Sequence, residues 1–344
     1  MPAPTKPSSS EGAAEPPAGA TPGAAVPDFF IVGHQKCGTT ALYLMLSEHP
    51  QIFMPRDVKE PWFFGRELRP GSFSDDAQVR RSRPETLEQY VALFAEAAPG
   101  QLVGEASPQT IRSQTAAGEI AALRPDARIV AILREPASFL RSLHLQLVAT
   151  HIESERDFAR AIALEPTRRE GKQLPRRSIS PQSLLYSDHV HYVEQLRRLH
   201  DAFPREQVLV LIYDDFRADN EATVRQVLRF LELDATVPIE TVETKPLNAV
   251  RSMRLHQLRR AIRLAGLNPK AGSPLLRAFD KVAPKPLRSE MLAARFRRVA
   301  YEPQAPADDA LALELRRRFK DEVQAASEYL GRDLVALWGY DRIS

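Results

Sequence analysis

An α/β fold, a parallel sheet flanked by helices, is what this sequence predicts, and three observations predict it. Short apolar runs alternate with longer segments of helical period from Phe29 onward, and the first apolar run ends in a tight, glycine-bearing loop. The composition, 43% hydrophobic and 26% charged over 344 residues, is that of one large globular domain. Alternation of strand and helix favours parallel pairing with helices on both faces, and ligands then bind at the carboxyl ends of the strands.

The elements follow in order. Residues 1–27 are rich in Pro, Ala, Ser and Gly, bury too little apolar surface to offset the entropy of ordering, and are expected to form a disordered leader ahead of one domain over 28–344. Phe29-Phe30-Ile31-Val32 reads as a buried strand and Ala41 to Ser47 as the helix after it. Ile129 to Leu133 and Phe139 to Val148 repeat the unit, as do Val208 to Ile212 and Asn220 to Leu231. From Lys245 to Ala300 the rhythm breaks: helical pieces are interrupted by Asn268-Pro269, Ser273-Pro274 and Ala283-Pro284-Lys285-Pro286, which predicts a helical insertion or lid over 245–300. A last helix is expected from about Asp308 to Leu330, stopped by Gly331 in a left-handed cap, with Trp338 and Tyr340 packing it back onto the body.

Charge is distributed unevenly. The net charge is +3, yet between Lys245 and Ala300 fourteen Lys and Arg stand against Asp280 and Glu290, a local balance of +12 that leaves −9 for the rest. Within that segment Leu255, Leu258 and Ile262 fall at helical spacing while Arg259, Arg260 and Arg263 occupy the other sides, the pattern of a basic amphipathic helix. An anionic ligand, or one borne on an acidic carrier, is the expected partner of this surface; nucleic acid is not. The sequence has no apolar stretch near the roughly 20 residues a membrane-crossing helix needs, so no integral membrane association is expected. The single cysteine, Cys37, allows neither an internal disulfide nor a Cys-rich zinc site, and a cytoplasmic location is expected.

The most informative segment is Phe29-Phe30-Ile31-Val32-Gly33-His34-Gln35-Lys36-Cys37-Gly38-Thr39-Thr40-Ala41-Leu42. A strand, a loop with two glycines and a helix opening on two threonines make an anion cradle: glycines let the backbone approach, the helix start offers amides, and Lys36 adds a full charge. The glycine spacing fits a P-loop-type sheet, but the usual Gly-Lys-Ser/Thr ending is here Gly38-Thr39-Thr40, with the lysine inside the loop.

Lys-x-Gly-Thr-Thr after a strand resembles the 5′-phosphosulfate loop of sulfotransferases, which use 3′-phosphoadenosine 5′-phosphosulfate (PAPS). Arg128 to Ser142 resembles the second signature of that family, a strand ending in Arg-x-Pro, here Arg134-Glu135-Pro136, with Ser142 eight residues past the arginine. Asp57-Val58-Lys59-Glu60-Pro61-Trp62-Phe63-Phe64 resembles the Glu-x-His-Phe-Phe segment of the heparan sulfate type, and Gly104-Glu105-Ala106-Ser107-Pro108 its Glu-Lys-Thr/Ser-Pro strand end. The resemblance runs from about Asp28 to Leu233 and fades after Lys245. It implies that Lys36, Cys37, Gly38, Thr39 and Thr40 cradle the 5′-phosphosulfate and that Arg134 and Ser142 hold the 3′-phosphate. It further implies that Glu60 is the catalytic base, that Lys36 acts on the transferring group, and that PAPS is the cosubstrate with no metal. Trp62 stands where the family has histidine and Ala106 where it has lysine; near the C-terminus, Phe296-Arg297-Arg298 lacks the family's glycine.

The chemistry the resemblance implies is sulfuryl transfer from PAPS to a hydroxyl-bearing acceptor by in-line displacement, with a carboxylate taking the acceptor's proton. Glu105 is the reserve base, His34 and His144 are further candidates to line the site, Cys37 is read as a small filler rather than a nucleophile, and Arg316-Arg317-Arg318 as the solvated face of the last helix. Two other readings stay open. A nucleotide kinase or NTPase would share the loop architecture, and a non-catalytic nucleotide-binding module would accommodate Trp62 and Ala106.

Overall fold

The computed structural model describes residues 26–69, 83–175, 181–240, 249–250, 301–302 and 309–343. Five strands, β1 (Phe29–Gly33), β2 (Ile52–Phe53), β3 (Leu102–Ala106), β4 (Arg128–Leu133) and β5 (Val208–Ile212), form one sheet in the order β2-β3-β1-β4-β5. Every pairing in it is parallel, with Phe29 opposite Gly104 on one side and Arg128 on the other. A central parallel strand is covered on both faces, which is why β1 is apolar at each position up to its glycine and β4 is buried from Ile129 to Leu133. The sheet predicted from alternating apolar runs is therefore present. Its order was not predictable from that alternation, because β2 is a two-residue edge with no periodic signal of its own.

Helices cover the sheet. In chain order they are α1 (Thr39–Ser47), α2 (Leu87–Val91), α3 (Ala116–Leu123), α4 (Pro136–Ala149), α5 (Phe158–Ala163), α6 (Glu165–Arg169), α7 (Tyr192–Ala202), α8 (Tyr213–Ala218) and α9 (Asn220–Phe230). Leu42 and Leu46 of α1, Phe139 and Leu140 of α4, and Val227 and Leu228 of α9 are among the side chains at 0% exposure that fill the core against the strands. Gly104 leaves room for the ring of Phe29 on the neighbouring strand, since a Cβ there would stand 2.2 Å from it.

The topology creates a crevice. The connection leaving β1 travels toward β2 and β3, whereas that leaving β4 travels toward β5, so the carboxyl ends of the adjacent strands β1 and β4 diverge into a switch point of the kind that binds ligands in open α/β sheets.

The C-terminal part holds two corrections. The single helix expected over 308–330 is two, α10 (Asp309–Arg318) and α11 (Lys320–Leu330), because Phe319 leaves helical geometry (φ −103°, ψ 10°) to bury its ring. The stop at Gly331 is as expected, with φ 63° in the left-handed region. A last turn, α12 (Leu334–Leu337), leads to Trp338 and Tyr340, both buried against the body as the sequence suggested. The second correction concerns Arg316-Arg317-Arg318, which are not all solvated: Arg316 pairs with Glu135 and Arg318 with Glu165, both carboxylates of the body.

The leader falls outside the described residues except for Val26, which packs on the core, and Pro27. The basic insertion of 245–300, with Arg297 and Arg298, also lies outside them, save for Ala249–Val250 (β6). That short strand pairs antiparallel with Tyr301–Glu302 (β7) and packs beside α4. Among the described residues no helix is long and apolar enough to cross a membrane.

Candidate active site

The loop from β1 to α1 is shaped by two residues in the left-handed region, Lys36 (φ 62°) and Gly38 (φ 87°). Gly38 is required twice over: its φ disfavours a side chain, and a Cβ there would lie 2.7 Å from the ring of Phe216. Gly38 is also the residue preceding the first turn of α1, and no side chain caps it. The first amides of α1 and the positive end of its dipole are thus left to serve a bound anion.

Across the crevice, α4 starts at Pro136 with Glu135 as its cap; the carboxylate accepts from the amides of Ala137 (3.1 Å) and Ser138 (2.7 Å). This fixes Arg134 at the end of β4. Its Nη1 donates to the carbonyl of Lys36 at 2.8 Å, its Nε to Ser138 Oγ at 3.1 Å, and its guanidinium lies 4.4 Å from the centre of the Tyr213 ring. The arginine after β4 therefore ties the loop after β1 to the first turn of α4.

Between the two walls lies a pocket of about 510 Å³. All but one of the expected site residues line it: Lys36, Gly38, Thr39 and Thr40 from the loop, Arg134 and Ser142 from the opposite wall, and Glu60 from the segment after β2. Ser142 sits two helical turns beyond the end of β4, on the face of α4 that Ser138 also presents. Burial, and then the neighbouring Arg134, lower the pKa of the Lys36 ammonium, an electrostatic strain that a bound anion would relieve.

Cys37 is the exception. It is wholly buried, its amide bonds the carbonyl of His34 at 3.3 Å, and burial pushes its thiol up to about 12. It fills space behind the loop, as the filler reading held, and does not line the pocket. Nor do the two histidines. His34 is buried with Nε2 2.7 Å from Gln195 Oε1, and burial drives its pKa down to about 3. His144 is buried between the Tyr186 hydroxyl and the carbonyl of Arg156.

Glu60 and Glu105 share a neighbourhood but differ in setting. Glu60 is at the pocket edge, its side chain 36% exposed, and pairs with Lys59 at 3.0 Å. The pairing that would make it an ordinary surface carboxylate and the placement that would make it a base are both present. Glu105 is 2% exposed and accepts a hydrogen bond from Tyr90 at 3.3 Å, while its Oε1 is buried without a partner. Burial raises its pKa from 4.5 to about 7, outweighing the hydrogen bonds from Ser107 and Tyr90. Ser107 in turn accepts the amide of Trp62 at 3.3 Å, which links this carboxyl to the segment carrying Glu60.

The shift at Glu105 has a consequence for stability. Between about 4.5 and about 7 the unfolded chain releases a proton that the folded chain keeps, so the contribution of this group falls as pH rises through that window and is level above it. Relative to Glu105→Gln, the wild-type chain is expected to lose at most about 1.4 kcal/mol per pH unit there. Urea unfolding of both at several pH values is the check; parallel curves would contradict a neutral buried carboxyl.

Among the lining residues that the sequence did not mark for the site are Ser138, Arg141 and Tyr213, and Arg316, expected on a solvated helix face, lines the pocket as well. Tyr213 carried a usable signal, since it follows β5 directly, at the end of a strand where ligands bind. Ser138 is one turn past Arg134 and could have been found by the same reasoning that found Ser142.

Residues 27–237, more than half of the chain, match the family model described as Sulfotransferase family, and the chain belongs to that family. It is 27% identical over 257 residues to human (Homo sapiens) carbohydrate sulfotransferase 15, a match covering 60% of this chain and 44% of that protein. It is 27% identical over 222 residues to human bifunctional heparan sulfate N-deacetylase/N-sulfotransferase 3, covering 60% of this chain and 22% of that protein. The chain thus spans less than half the length of these curated relatives. Among solved structures, a sulfotransferase from Alicyclobacillus acidocaldarius superposes with a TM-score of 0.56 at 29% identity, covering 72% of this chain and 98% of the other.

Proposed function

We propose that the pocket between β1 and β4 binds PAPS and that the chain transfers its sulfuryl group to a hydroxyl acceptor. The observation that carries this reading is the meeting, in one pocket, of Lys36 and the start of α1 with Arg134 and Ser142 on the opposite wall. Two anion sites of this kind, one at the loop after β1 and one between the end of β4 and the first two turns of α4, suit a nucleotide with phosphate at both its 5′ and 3′ positions. Membership of the sulfotransferase family supports the same chemistry.

In the proposed step, the acceptor oxygen forms a bond to sulfur as the bond from sulfur to the 5′-phosphate oxygen breaks, and adenosine 3′,5′-bisphosphate leaves with the electron pair. Lys36 and the amides at the start of α1 offset the charge that gathers on the leaving phosphate. Glu60, at the pocket edge, takes the acceptor's proton, and Lys59 at 3.0 Å orients its carboxylate. The names of the relatives, carbohydrate and heparan sulfate enzymes, support sugar hydroxyls as the acceptors to try first.

PAPS should release adenosine 3′,5′-bisphosphate at a rate that rises with added hydroxyl acceptor. Tight binding of the bisphosphate without release for any acceptor would instead favour the non-catalytic module. Arg134→Ala is expected to weaken adenosine 3′,5′-bisphosphate by about tenfold or more, and adenosine 5′-phosphate much less, because only the former carries the group assigned to Arg134. Calorimetric titration with both ligands is the check, and equal weakening would overturn that assignment.

A further inference from the structure

We infer that Trp62 determines specificity for the acceptor: its indole is the platform on which a ring-shaped, non-cationic hydroxyl compound lies while Glu60 faces the reacting hydroxyl. The inference deepens the proposed function by naming a shape of acceptor, and it rests on that reading.

Three consecutive aromatic residues, Trp62, Phe63 and Phe64, meet different fates. Phe63 stacks on Tyr90 with ring centres 4.4 Å apart, Phe64 meets Phe30 edge-on at 5.7 Å, and both are buried. Trp62 is only partly buried and joins none of these ring pairs. Its backbone turns it aside, with φ 56° in the left-handed region that a bulky side chain rarely adopts. Both backbone polar groups are tied down: the amide donates to Ser107 Oγ at 3.3 Å, and the carbonyl accepts from Arg69 Nε. Arg69 also donates to the carbonyl of Pro84 at 2.9 Å, so the segment is held from two sides. A strained conformation pinned in this way, carrying a large aromatic ring that the core does not use, points to function.

Place and chemistry agree. Glu60, two residues before Trp62, lines the pocket, and so does Pro108, the neighbour of the Ser107 that receives the Trp62 amide. The indole therefore stands beside the edge of the pocket that carries Glu60. Its N–H bonds no group among the described residues, although a tryptophan donor ordinarily finds a partner. A flat apolar face with an unused donor suits a saturated ring, which lays its C–H bonds on the face and offers an oxygen to the N–H. Charge narrows the class further. The guanidinium of Arg83 lies 5.7 Å from the centre of the indole, so the place a cation would take at this ring is filled and a cationic acceptor would be repelled.

The test compares methyl β-D-glucopyranoside with D-glucitol, an open-chain polyol that lacks the ring, as acceptors for the full chain at saturating PAPS. Wild type is expected to show the lower KM for the glucoside. Trp62→Ala should raise that KM by about tenfold while the KM for glucitol and the KM for PAPS stay within about twofold, and Trp62→Phe should keep part of the preference. If the alanine variant fails to fold, Trp62→Leu decides by the same contrast: a selective rise for the glucoside supports the platform, and no rise overturns it. A rise of all three KM values together with a lower melting temperature would make Trp62 a structural residue and overturn the inference. Wild type that binds adenosine 3′,5′-bisphosphate and sulfates other hydroxyl compounds, yet shows no preference for the glucoside over glucitol, would also overturn it and leave the proposed function standing. Should wild type not bind the bisphosphate at all, the reading of the pocket fails and the inference fails with it.

Discussion

Lys36→Ala is expected to lower turnover at saturating PAPS by about 10²- to 10³-fold, the loss typical when one electrostatic contact to a developing charge is removed. The substitution is clean in structural terms. Lysine and alanine both carry a Cβ, so the left-handed φ of 62° strains the backbone equally in either chain. The carbonyl that accepts from Arg134 at 2.8 Å belongs to the backbone and is retained. Removing a partly buried ammonium whose pKa burial already lowers also removes a desolvation cost, so the melting temperature should hold or rise. The expected result is an intact fold that binds the nucleotide more weakly and scarcely turns over. Near-normal turnover with saturating PAPS would mean that the loop does not address the transferring group.

Glu60→Gln is expected to cut the rate by about 10²- to 10⁴-fold while leaving nucleotide affinity unchanged, because the amide keeps the shape of the side chain but cannot accept the acceptor's proton. The ion pair with Lys59, part exposed, is worth at most about 1 kcal/mol, so the fold is not at stake. The split between kinetic constants separates this role from a structural one: turnover should fall while the KM for PAPS and the melting temperature stay at their wild-type values. Glu105 is the natural comparison. A Glu105→Gln chain with wild-type turnover would support Glu60 as the base, whereas loss of turnover in Glu105→Gln and not in Glu60→Gln would transfer the role.

Much of the fold and of the pocket was legible because the signals are local. β1, its loop and α1 occupy one continuous stretch, and the strand at Arg128–Leu133 with Arg134 and Ser142 another; each carries its period and its polar residues within a few turns. What the sequence hid is long-range. The order of the sheet depends on where the two-residue β2 attaches, and no hydrophobic pattern marks it. Three consecutive arginines on a helix point about 100° apart, so a run such as Arg316-Arg317-Arg318 cannot tell from spacing alone which one turns inward. Contacts to Glu135 and Glu165, carboxylates of the sheet body, decide it. His34 and His144 looked available in a loop and on a helix, yet burial behind the loop and under Tyr186 removes both from the pocket. Phe319 broke a helix that the sequence read as continuous, since its buried ring outweighs the helical preference of its neighbours.

The central claim is that this pocket is built for a nucleotide carrying both a 5′ and a 3′ phosphate group and not for a nucleoside triphosphate with magnesium. Equilibrium binding of adenosine 3′,5′-bisphosphate and of ATP with magnesium to the same full chain, at equal ionic strength, tests it most directly. The structure leads us to expect the bisphosphate to bind at least about tenfold more tightly, the margin that one charge-assisted contact to its 3′-phosphate supplies; tighter binding of ATP with magnesium would contradict the account.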